Sequence, residues 1–239
     1  MIGIISDIGT VRKLNEDYAI YHEGKDYKIY VVADGMGGHN AGEIASKMAA
    51  EGVLEYISQN VDIIEHKILL RSAIEKVNID IFNKSAEVEA CSGMGTTITA
   101  CLVVDDTIYV ANVGDSSCFG YKNEKLIKVT KDHSLVQELL DSGSISEDEA
   151  INHPKKNIIT RAVGTNKELN VDIFEIEKGQ YNSFILCSDG LSNVVTKEEI
   201  ISIMEKHKDF QKKCVDLVET AKKNGSSDNI TVLLFGGED

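Results

Sequence analysis

The stretch YKIYVVADG, residues 27–35, is an apolar run that ends on an Asp-Gly pair. Three other runs likewise place an aspartate beside a small or turn-forming residue: ANVGDS (111–116), FILCSDG (184–190) and SDNITVLLF (227–235). Short runs rich in β-branched and aromatic residues, bounded by turn-forming residues, are typical of β-strands. The pattern therefore predicts four strands that each carry an aspartate at one end: Asp34, Asp115, Asp189 and Asp228.

Further strand-like runs and several amphipathic segments surround these four. Predicted strands cover 2–6, 27–34, 96–104, 107–113, 184–189 and 229–235, and predicted helices cover 42–60, 64–81, 134–142, 197–206 and 210–223. The strands come in blocks joined by tight turns such as VDDT (104–107), which disfavours a doubly wound parallel sheet. We predict an α+β fold with antiparallel sheets covered by helices, and a polar surface excursion over 142–170.

Composition limits the classes of function. The chain has 239 residues, 42% of them hydrophobic, and no linker-like stretch divides it, so we predict one domain over 1–239. Its 39 acidic residues against 25 basic ones give a formal charge of −14. This balance argues against a nucleic-acid partner, because such proteins neutralise phosphates with clustered Lys and Arg.

Cysteine usage and hydropathy predict the cellular location. The five cysteines are scattered and include no C-x-x-C pair, which argues against a disulfide framework and a cysteine zinc site. No segment approaches the roughly 18 apolar residues of a membrane-spanning helix. The N-terminal residues do not resemble a secretion signal either. We therefore expect a cytoplasmic protein with no membrane partner.

The strand-end aspartates predict a metal site. Buried carboxylates that converge repel one another and need a compensating cation. Oxygen ligands suit Mg²⁺ or Mn²⁺, whereas zinc prefers His or Cys, and the six histidines form no H-x-x-x-H pair. Metal ions held by carboxylates polarise phosphoryl oxygens and activate water. Phosphoester hydrolysis is therefore the leading class of reaction.

These residues also have simpler interpretations. Each Asp-Gly pair alone could be an ordinary turn, but four strand-end aspartates together favour a shared site. The sequence contains no G-x-x-x-x-G-K-[ST] loop and no G-x-S-x-G motif, which disfavours nucleotide-dependent transfer and serine hydrolysis. Arg12 lies just before Glu16 and Asp17, where a guanidinium could bind phosphate while its neighbours serve the metal.

Eight motifs along the chain carry a family resemblance: RKLNED (12–17), VVADGMGGH (31–39), SGMGTT (92–97), NVGDS (112–116), TKDHS (130–134), NIITRAVG (157–164), LCSDGLS (186–192) and SDNITV (227–232). In this order they resemble protein phosphatase 2C, the metal-dependent PPM family of Ser/Thr phosphatases. The match runs from residue 1 to about 236 and is closest to compact bacterial members. It implies a four-layer α/β/β/α sandwich, with two central antiparallel sheets and a dinuclear metal centre at one end.

The resemblance also implies a ligand for each metal ion. Asp34 would bridge two Mn²⁺ or Mg²⁺ ions, and the carbonyl of Gly35 would bind the second ion. Asp189 and Asp228 would complete the first. Asp115, together with Asp189, would hold a weaker third ion.

The remaining implied roles concern substrate and solvent. Glu16 and Asp17 would hold metal-bound waters, and Arg12 would bind the substrate phosphate. The segment 131–170 would form the family's flap, which influences substrate choice.

Two positions depart from the family pattern. Ser117 stands where the family usually has arginine after G-D-S, and we expect this to affect stability rather than chemistry. Some members place a histidine directly after the Asp-Gly pair as general acid, whereas this chain has Met36 there and its nearest histidine is His39. The general acid is therefore open between His39 and a metal-bound water.

The expected function is a protein Ser/Thr phosphatase that hydrolyses phosphoserine and phosphothreonine by direct attack of a metal-activated water. Arg12, Asp34 and Asp189 would carry catalysis. The expected partners of this monomer are phosphoproteins, including a Ser/Thr kinase and its substrates. Two alternatives stay open: a catalytically silent scaffold of the same fold, and a dedicated regulator of one phosphoprotein in a sporulation or stress circuit. The intact set of aspartates argues against the first, and the lack of a fused sensor domain against the second.

Overall fold

The computed structural model describes residues 1–37, 41–151 and 153–237, and within them it contains eleven strands and seven α-helices. The strands are β1 (Ile2–Asp7), β2 (Asp17–Glu23), β3 (Tyr27–Met36), β4 (Gly95–Thr96), β5 (Ile98–Val104), β6 (Thr107–Val113), β7 (Ser117–Lys122), β8 (Lys125–Lys128), β9 (Asp172–Glu177), β10 (Ser183–Cys187) and β11 (Ile230–Gly236). The helices are α1 (Gly42–Asn60), α2 (His66–Glu87), α3 (Leu135–Asp141), α4 (Glu147–Ile151), α5 (Asp189–Ser192), α6 (Lys197–Lys206) and α7 (Phe210–Lys223). A 3-10 turn covers Glu89–Cys91.

The strands form two antiparallel sheets. The first sheet has the order β1-β11-β10-β7-β8, and the second has the order β2-β3-β5-β6-β9, with β4 paired to β3. The inner faces of the two sheets pack together around a ring stack, in which the ring centroids of Tyr30 and Phe235 are 3.8 Å apart and those of Phe184 and Phe235 are 5.2 Å apart. The core between the sheets is therefore aromatic at its centre.

Strand alternation divides the core into layers. On β3, Ile29 and Val31 pack in the cluster that includes α1 and α2, whereas Tyr30 and Val32 face the first sheet. Successive side chains of a strand point to opposite faces, so one continuous apolar run is buried on both sides. A third cluster packs α6 and α7 on the outer face of the first sheet. The predicted α/β/β/α sandwich is thus confirmed.

The assignment from sequence missed four strands: β2, β7, β8 and β9. Three of them, β2, β8 and β9, are edge strands, whose polar residues face solvent and weaken the apolar signal. The fourth, β7, contains Gly120, and glycine is uncommon in strands, which weakens the signal in the sequence. A Cβ at Gly120 would lie 2.5 Å from the ring of Tyr181. The predicted excursion over 142–170 contains one short helix, α4. The five predicted helices are present, although α2 extends to Glu87.

The pairing register brings the aspartates together. Asp17 lies opposite Asp34 in the β2–β3 pair. Because β10 runs antiparallel to both β7 and β11, its C-terminal end, followed by Asp189, meets the starts of those two strands. Asp115 and Asp228 each lie two residues before these starts. Within the described residues, no helix is long and apolar enough to cross a bilayer.

The ring stack between the sheets generates a stability prediction. Phe184→Ala should lower the free energy of unfolding by about 3–5 kcal/mol, because the lost ring leaves a cavity in a fully buried layer. Denaturant unfolding would measure this. The control Ile127→Ala removes an exposed side chain on β8 of the same sheet and should cost about 0.5 kcal/mol or less. Similar losses in the two variants would contradict the central role of the stack.

Candidate metal and phosphate site

A cavity of about 270 Å³ opens where the strand ends meet. Its lining consists of Arg12, Glu16, Asp34, Gly35, Met36, Gly37, Thr97, Asp115, Asn157, Ile159, Asp189 and Asp228. Seven of the eight residues predicted for the site belong to this set. The eighth, Asp17, is buried behind the wall and lines a neighbouring groove with Tyr18 and Met48.

Backbone contacts fix Asp34 at the end of β3. Its N–H donates to the hydroxyl oxygen of Thr97 at 3.0 Å, and its carbonyl accepts from the N–H of Thr97 at 2.9 Å. The hydroxyl of Thr96 donates to the same carbonyl at 2.9 Å. The interruption between β4 and β5 at Thr97 thus anchors the aspartate and leaves its carboxyl group facing the cavity.

The carboxylates of Asp17 and Asp189 are only partly satisfied by hydrogen bonds. The Ser188 hydroxyl donates to Oδ2 of Asp17 at 2.7 Å, and Nδ2 of Asn193 donates to Oδ2 of Asp189 at 2.9 Å. The other oxygen of each group, Oδ1, is buried and has no hydrogen-bond partner among the described residues. Buried polar atoms are normally paired, so these oxygens mark positions for a ligand.

Burial and mutual repulsion raise the pKa values of the cluster. Burial, reinforced by the charges of Asp189 and Asp228, raises the pKa of Asp17 to about 7. Burial and the charge of Asp189 raise the pKa of Asp115 to about 7, and burial and the charge of Asp228 raise the pKa of Asp189 to about 6. Burial and the charges of all four other aspartates raise the pKa of Asp34 well above its usual range. The cluster therefore favours bound protons or cations.

The chemistry of the lining fits hard divalent cations. Its anionic donors are carboxylate oxygens, and the unpaired Oδ1 atom of Asp189 is an acceptor that a cation would satisfy. In residues 1–37, 41–151 and 153–237, no three acidic, histidine or cysteine side chains form an assembled coordination shell. The fit thus rests on the donor set and its placement. Asp34, Asp189, Asp228 and Gly35 all line the cavity, so their oxygen atoms could hold such ions.

Arg12 provides the positive charge at this cavity. Its Nη2 donates to Oδ2 of Asp228 at 2.7 Å, and its Nη1 lies 3.9 Å from a carboxylate oxygen of Glu16. The guanidinium is half exposed. Its remaining donors are therefore available to an anion that enters from solvent.

Asn229 holds the loop that leads to the cavity, and it was not among the residues predicted from the sequence. This buried side chain accepts a hydrogen bond from the N–H of Glu16 at 2.9 Å. Its Nδ2 donates to the carbonyls of Ile8 at 3.0 Å and Leu14 at 2.9 Å. One amide thus closes the loop of residues 8–14, which carries Arg12. The available signal was the position of this asparagine directly after a predicted metal ligand.

The predicted flap contributes one wall of the cavity through Asn157 and Ile159. The N–H of Thr160 donates to the carbonyl of His133 at 2.8 Å. His133 in turn forms two hydrogen bonds with Gly114. The Gly114 N–H donates to Nδ1 of His133 at 3.0 Å, and the His133 N–H donates to the Gly114 carbonyl at 2.9 Å. The start of the predicted flap is therefore bonded to the residue that precedes Asp115.

The two positions that depart from the family pattern, Met36 and Ser117, both belong to the described residues. Met36 lines the cavity, whereas His39 lies outside the described residues. Ser117 is buried, and its hydroxyl reaches the carbonyl of Asp115 at 3.5 Å, so a weak polar contact stands at the position of the usual arginine. Its expected effect on stability remains a prediction.

Fold and cavity together define a class of protein: a two-sheet sandwich with a half-exposed arginine beside clustered carboxylates, a combination suited to phosphoester chemistry. A family model described as protein phosphatase 2C matches residues 10–234. The chain therefore belongs to the protein phosphatase 2C family.

Relatives of known name cover almost the whole chain. It is 39% identical over 233 residues to the serine/threonine phosphatase stp of Listeria monocytogenes, covering 96% of this chain and 92% of the relative. It is 34% identical to the protein phosphatase PhpP of Streptococcus pneumoniae, covering 98% and 96%. The crystal structure of the serine/threonine phosphatase Stp1 from Staphylococcus aureus matches with a TM-score of 0.92 at 33% identity, covering 98% and 94%. That of PstP/Ppp from Mycobacterium tuberculosis matches with a TM-score of 0.90 at 31% identity, covering 100% and 99%.

The Asn229 contacts generate a prediction about positioning. Asn229→Ala removes both donors that close the loop, so kcat/KM for an aryl phosphate should fall about tenfold or more, as expected for two hydrogen bonds. In an Arg12→Ala background the same change should cost much less, because the loop no longer carries its guanidinium. The control Asn224→Ala removes a similar Nδ2 bond to the carbonyl of Val194 and should leave kcat/KM unchanged. An equal loss in both backgrounds would contradict positioning of Arg12.

The raised carboxyl pKa values generate a prediction about pH. Between about pH 4 and 7 this cluster binds more protons in the folded protein than in the unfolded chain, so its contribution to the stability of the metal-free protein falls as pH rises through this window. Bound Mg²⁺ or Mn²⁺ opposes this loss. The rise in melting temperature on adding either ion should therefore be larger at about pH 7.5 than at about pH 5.5. Thermal unfolding with metal and with chelator measures it, and equal rises at the two pH values would contradict it.

Proposed function

We propose that this protein phosphatase 2C enzyme hydrolyses phosphoserine and phosphothreonine in proteins, and that it depends on two Mn²⁺ or Mg²⁺ ions with a weaker third. The observation that carries the proposal is the pairing of Arg12 with a carboxylate-lined cavity at the meeting point of the strand ends. The naming of the stp and PhpP relatives as phosphatases supports the same conclusion.

The residues divide between substrate binding and metal binding. Arg12 would bind the phosphate through the donors that it does not use on Asp228. Asp34, Asp189, Asp228 and the carbonyl of Gly35 would hold the two main ions. When bound, the ions supply Lewis-acid activation of the phosphoryl group and of the attacking water.

The remaining acidic residues would complete the metal surroundings. Asp115, which shares the cavity with Asp189, would hold the third ion. Glu16 and Asp17 would orient waters on the ions from two sides, since Glu16 lines the cavity and Asp17 lies behind its wall.

Direct attack by water, with no covalent phosphoenzyme, is the proposed route. The described residues that line the cavity include no cysteine, serine or histidine. The hydroxyl of Thr97 is engaged by the Asp34 N–H and by Ser116. The lining therefore favours water over a hydroxyl, thiol or imidazole nucleophile.

The proposed setting is the cytoplasm, where a Ser/Thr kinase and its substrates would supply the phosphoproteins. All five cysteines are free and buried, which is compatible with a reducing compartment. Burial also raises the pKa of Cys187 well above its usual range and that of Cys214 to about 12, so neither thiol is reactive at neutral pH.

The proposal is tested by removing single carboxylates. Asp34→Asn and Asp189→Asn should each lower kcat for a phosphothreonine peptide with Mn²⁺ by about a hundredfold or more, about 2.7 kcal/mol in barrier. Chelator should abolish wild-type turnover, and added Mn²⁺ should restore it. The control Asp80→Asn removes an exposed partner of Lys76 on α2 and should keep normal turnover. Near-normal kcat in either cavity variant would refute the assignment.

A further inference from the structure

Gly114, the residue directly before Asp115, has both of its backbone polar groups bonded to one histidine. The Gly114 N–H donates to Nδ1 of His133 at 3.0 Å, and the N–H of His133 donates to the Gly114 carbonyl at 2.9 Å. His133 is buried, and it belongs to the TKDHS motif (130–134), to which the proposed function assigns no role. These two bonds tie the motif to the turn between β6 and β7.

The bond from Gly114 fixes the tautomer of the His133 ring. Because Nδ1 accepts from Gly114, the proton of the neutral ring is on Nε2. Nε2 lies 3.1 Å from Oδ2 of Asp172 and donates to it. Nη1 of Arg161 lies 3.0 Å from the same nitrogen and donates to Oδ1 of Asp172 at 2.9 Å. Burial lowers the pKa of His133, which favours the neutral ring. Asp172 thus orients the ring so that Nδ1 serves Gly114.

The turn that carries Asp115 is also confined by Thr97. Gly114 has a φ of +104°, which favours glycine, and a Cβ there would lie 2.6 Å from Cγ2 of Thr97. The hydroxyl groups of Thr97 and Ser116 are 2.8 Å apart and share a hydrogen bond. His133 and Thr97 therefore hold the two residues that flank Asp115, one on each side.

The Asp115 carboxylate depends on this backbone for its position. Within the described part of the chain, no other side chain donates a hydrogen bond to it. Asp115 and Asp189 line the same cavity, and they are the residues proposed to hold the third ion. A residue that holds a metal ligand in place raises the affinity of the site, because less ordering is needed when the ion binds.

We propose that His133 is a positioning residue for the third metal ion, and that it acts by holding Gly114 and hence the backbone of Asp115. This inference rests on the proposed function, since that function includes the third ion. The effect of His133 on this ion passes through one ring nitrogen, Nδ1, and the two main ions do not depend on it.

Two carboxamide variants separate the roles of the ring nitrogens. In His133→Asn the amide oxygen can take the position of Nδ1 and accept from Gly114. In His133→Gln the amide reaches the position of Nε2 instead, and the Gly114 N–H loses its acceptor. Titration calorimetry of the metal-free protein with Mn²⁺ measures each affinity. His133→Gln should weaken the third ion about tenfold or more, the usual cost of losing a partner that orients a metal ligand. His133→Asn should bind it nearly as well as the wild-type protein, and both variants should keep the two main ions.

The nitrogen NMR spectrum of the wild-type protein provides a readout that needs no variant. The ring shifts of His133 at neutral pH should show a proton on Nε2 and none on Nδ1. A proton on Nδ1 would overturn the proposal, because Gly114 would then have no acceptor.

Two further variants are controls. His207→Ala removes another histidine that contacts a carboxylate, since its Nε2 lies 3.1 Å from Oδ2 of Asp216, and it should leave all three affinities unchanged. Asp115→Asn should itself weaken the third ion. Adding His133→Gln to it should cost little more, because the ligand that His133 positions is already lost. Denaturant unfolding in chelator checks that each variant is folded.

The outcomes separate this proposal from the proposed function. Unchanged affinity for the third ion in His133→Gln, or equal losses in His133→Gln and His133→Asn, would overturn the positioning role. Binding of only two ions by the wild-type protein would also overturn it, and would leave a two-ion phosphatase intact. Lack of turnover of an aryl phosphate by the wild-type protein with Mn²⁺ would instead refute the phosphatase assignment.

Discussion

The crowding of carboxylates in one place is the constraint on which the site depends. Asp34, Asp115 and Asp189 line one cavity, and burial together with the charges of neighbouring aspartates raises the pKa of each. Such a cluster opposes folding unless protons or cations compensate it. The two packed sheets tolerate it because the aspartates lie just beyond or at strand ends, while the apolar strands themselves supply the stabilising burial. The apolar strands thus stabilise the fold, whereas the residues at and beyond their ends form the cavity.

Neutral hydrogen bonds, rather than charges, place the cationic partner of this cluster. An ion pair such as Arg12–Asp228 would hold the guanidinium only weakly at a half-exposed position. Asn229 instead closes the loop through backbone carbonyls, and its own N–H donates to Asp228 at 2.8 Å. Backbone contacts of this kind do not depend on pH or salt in the way that ion pairs do. The geometry of the loop therefore does not depend on the Arg12–Asp228 ion pair.

Sequence reasoning recovered most of the layers and most of the site, for identifiable reasons. Helix α6 begins with a capping box between Thr196 and Glu199, and α7 begins at the N-cap Asp209, so both helices carry local signals at their starts. Edge strands such as β2 lack such a signal, because tertiary pairing determines them. Asp17 was predicted with Glu16, yet neighbouring residues of an extended chain point to opposite sides, which places Asp17 behind the wall. Asn229 was missed because its role depends on contacts more than 200 residues away along the chain.

The carboxylates of the cavity and the loop beside it are under different physical constraints. Each carboxylate interacts with several others, so a change at one of them alters the pKa of the rest. The loop of residues 8–14, by contrast, is held by its backbone, since the carbonyls of Ile8 and Leu14 accept hydrogen bonds from Asn229. A substitution of an exposed side chain on this loop therefore leaves the path of the loop unchanged. It follows that the loop can vary in sequence while the carboxylate cluster stays the same.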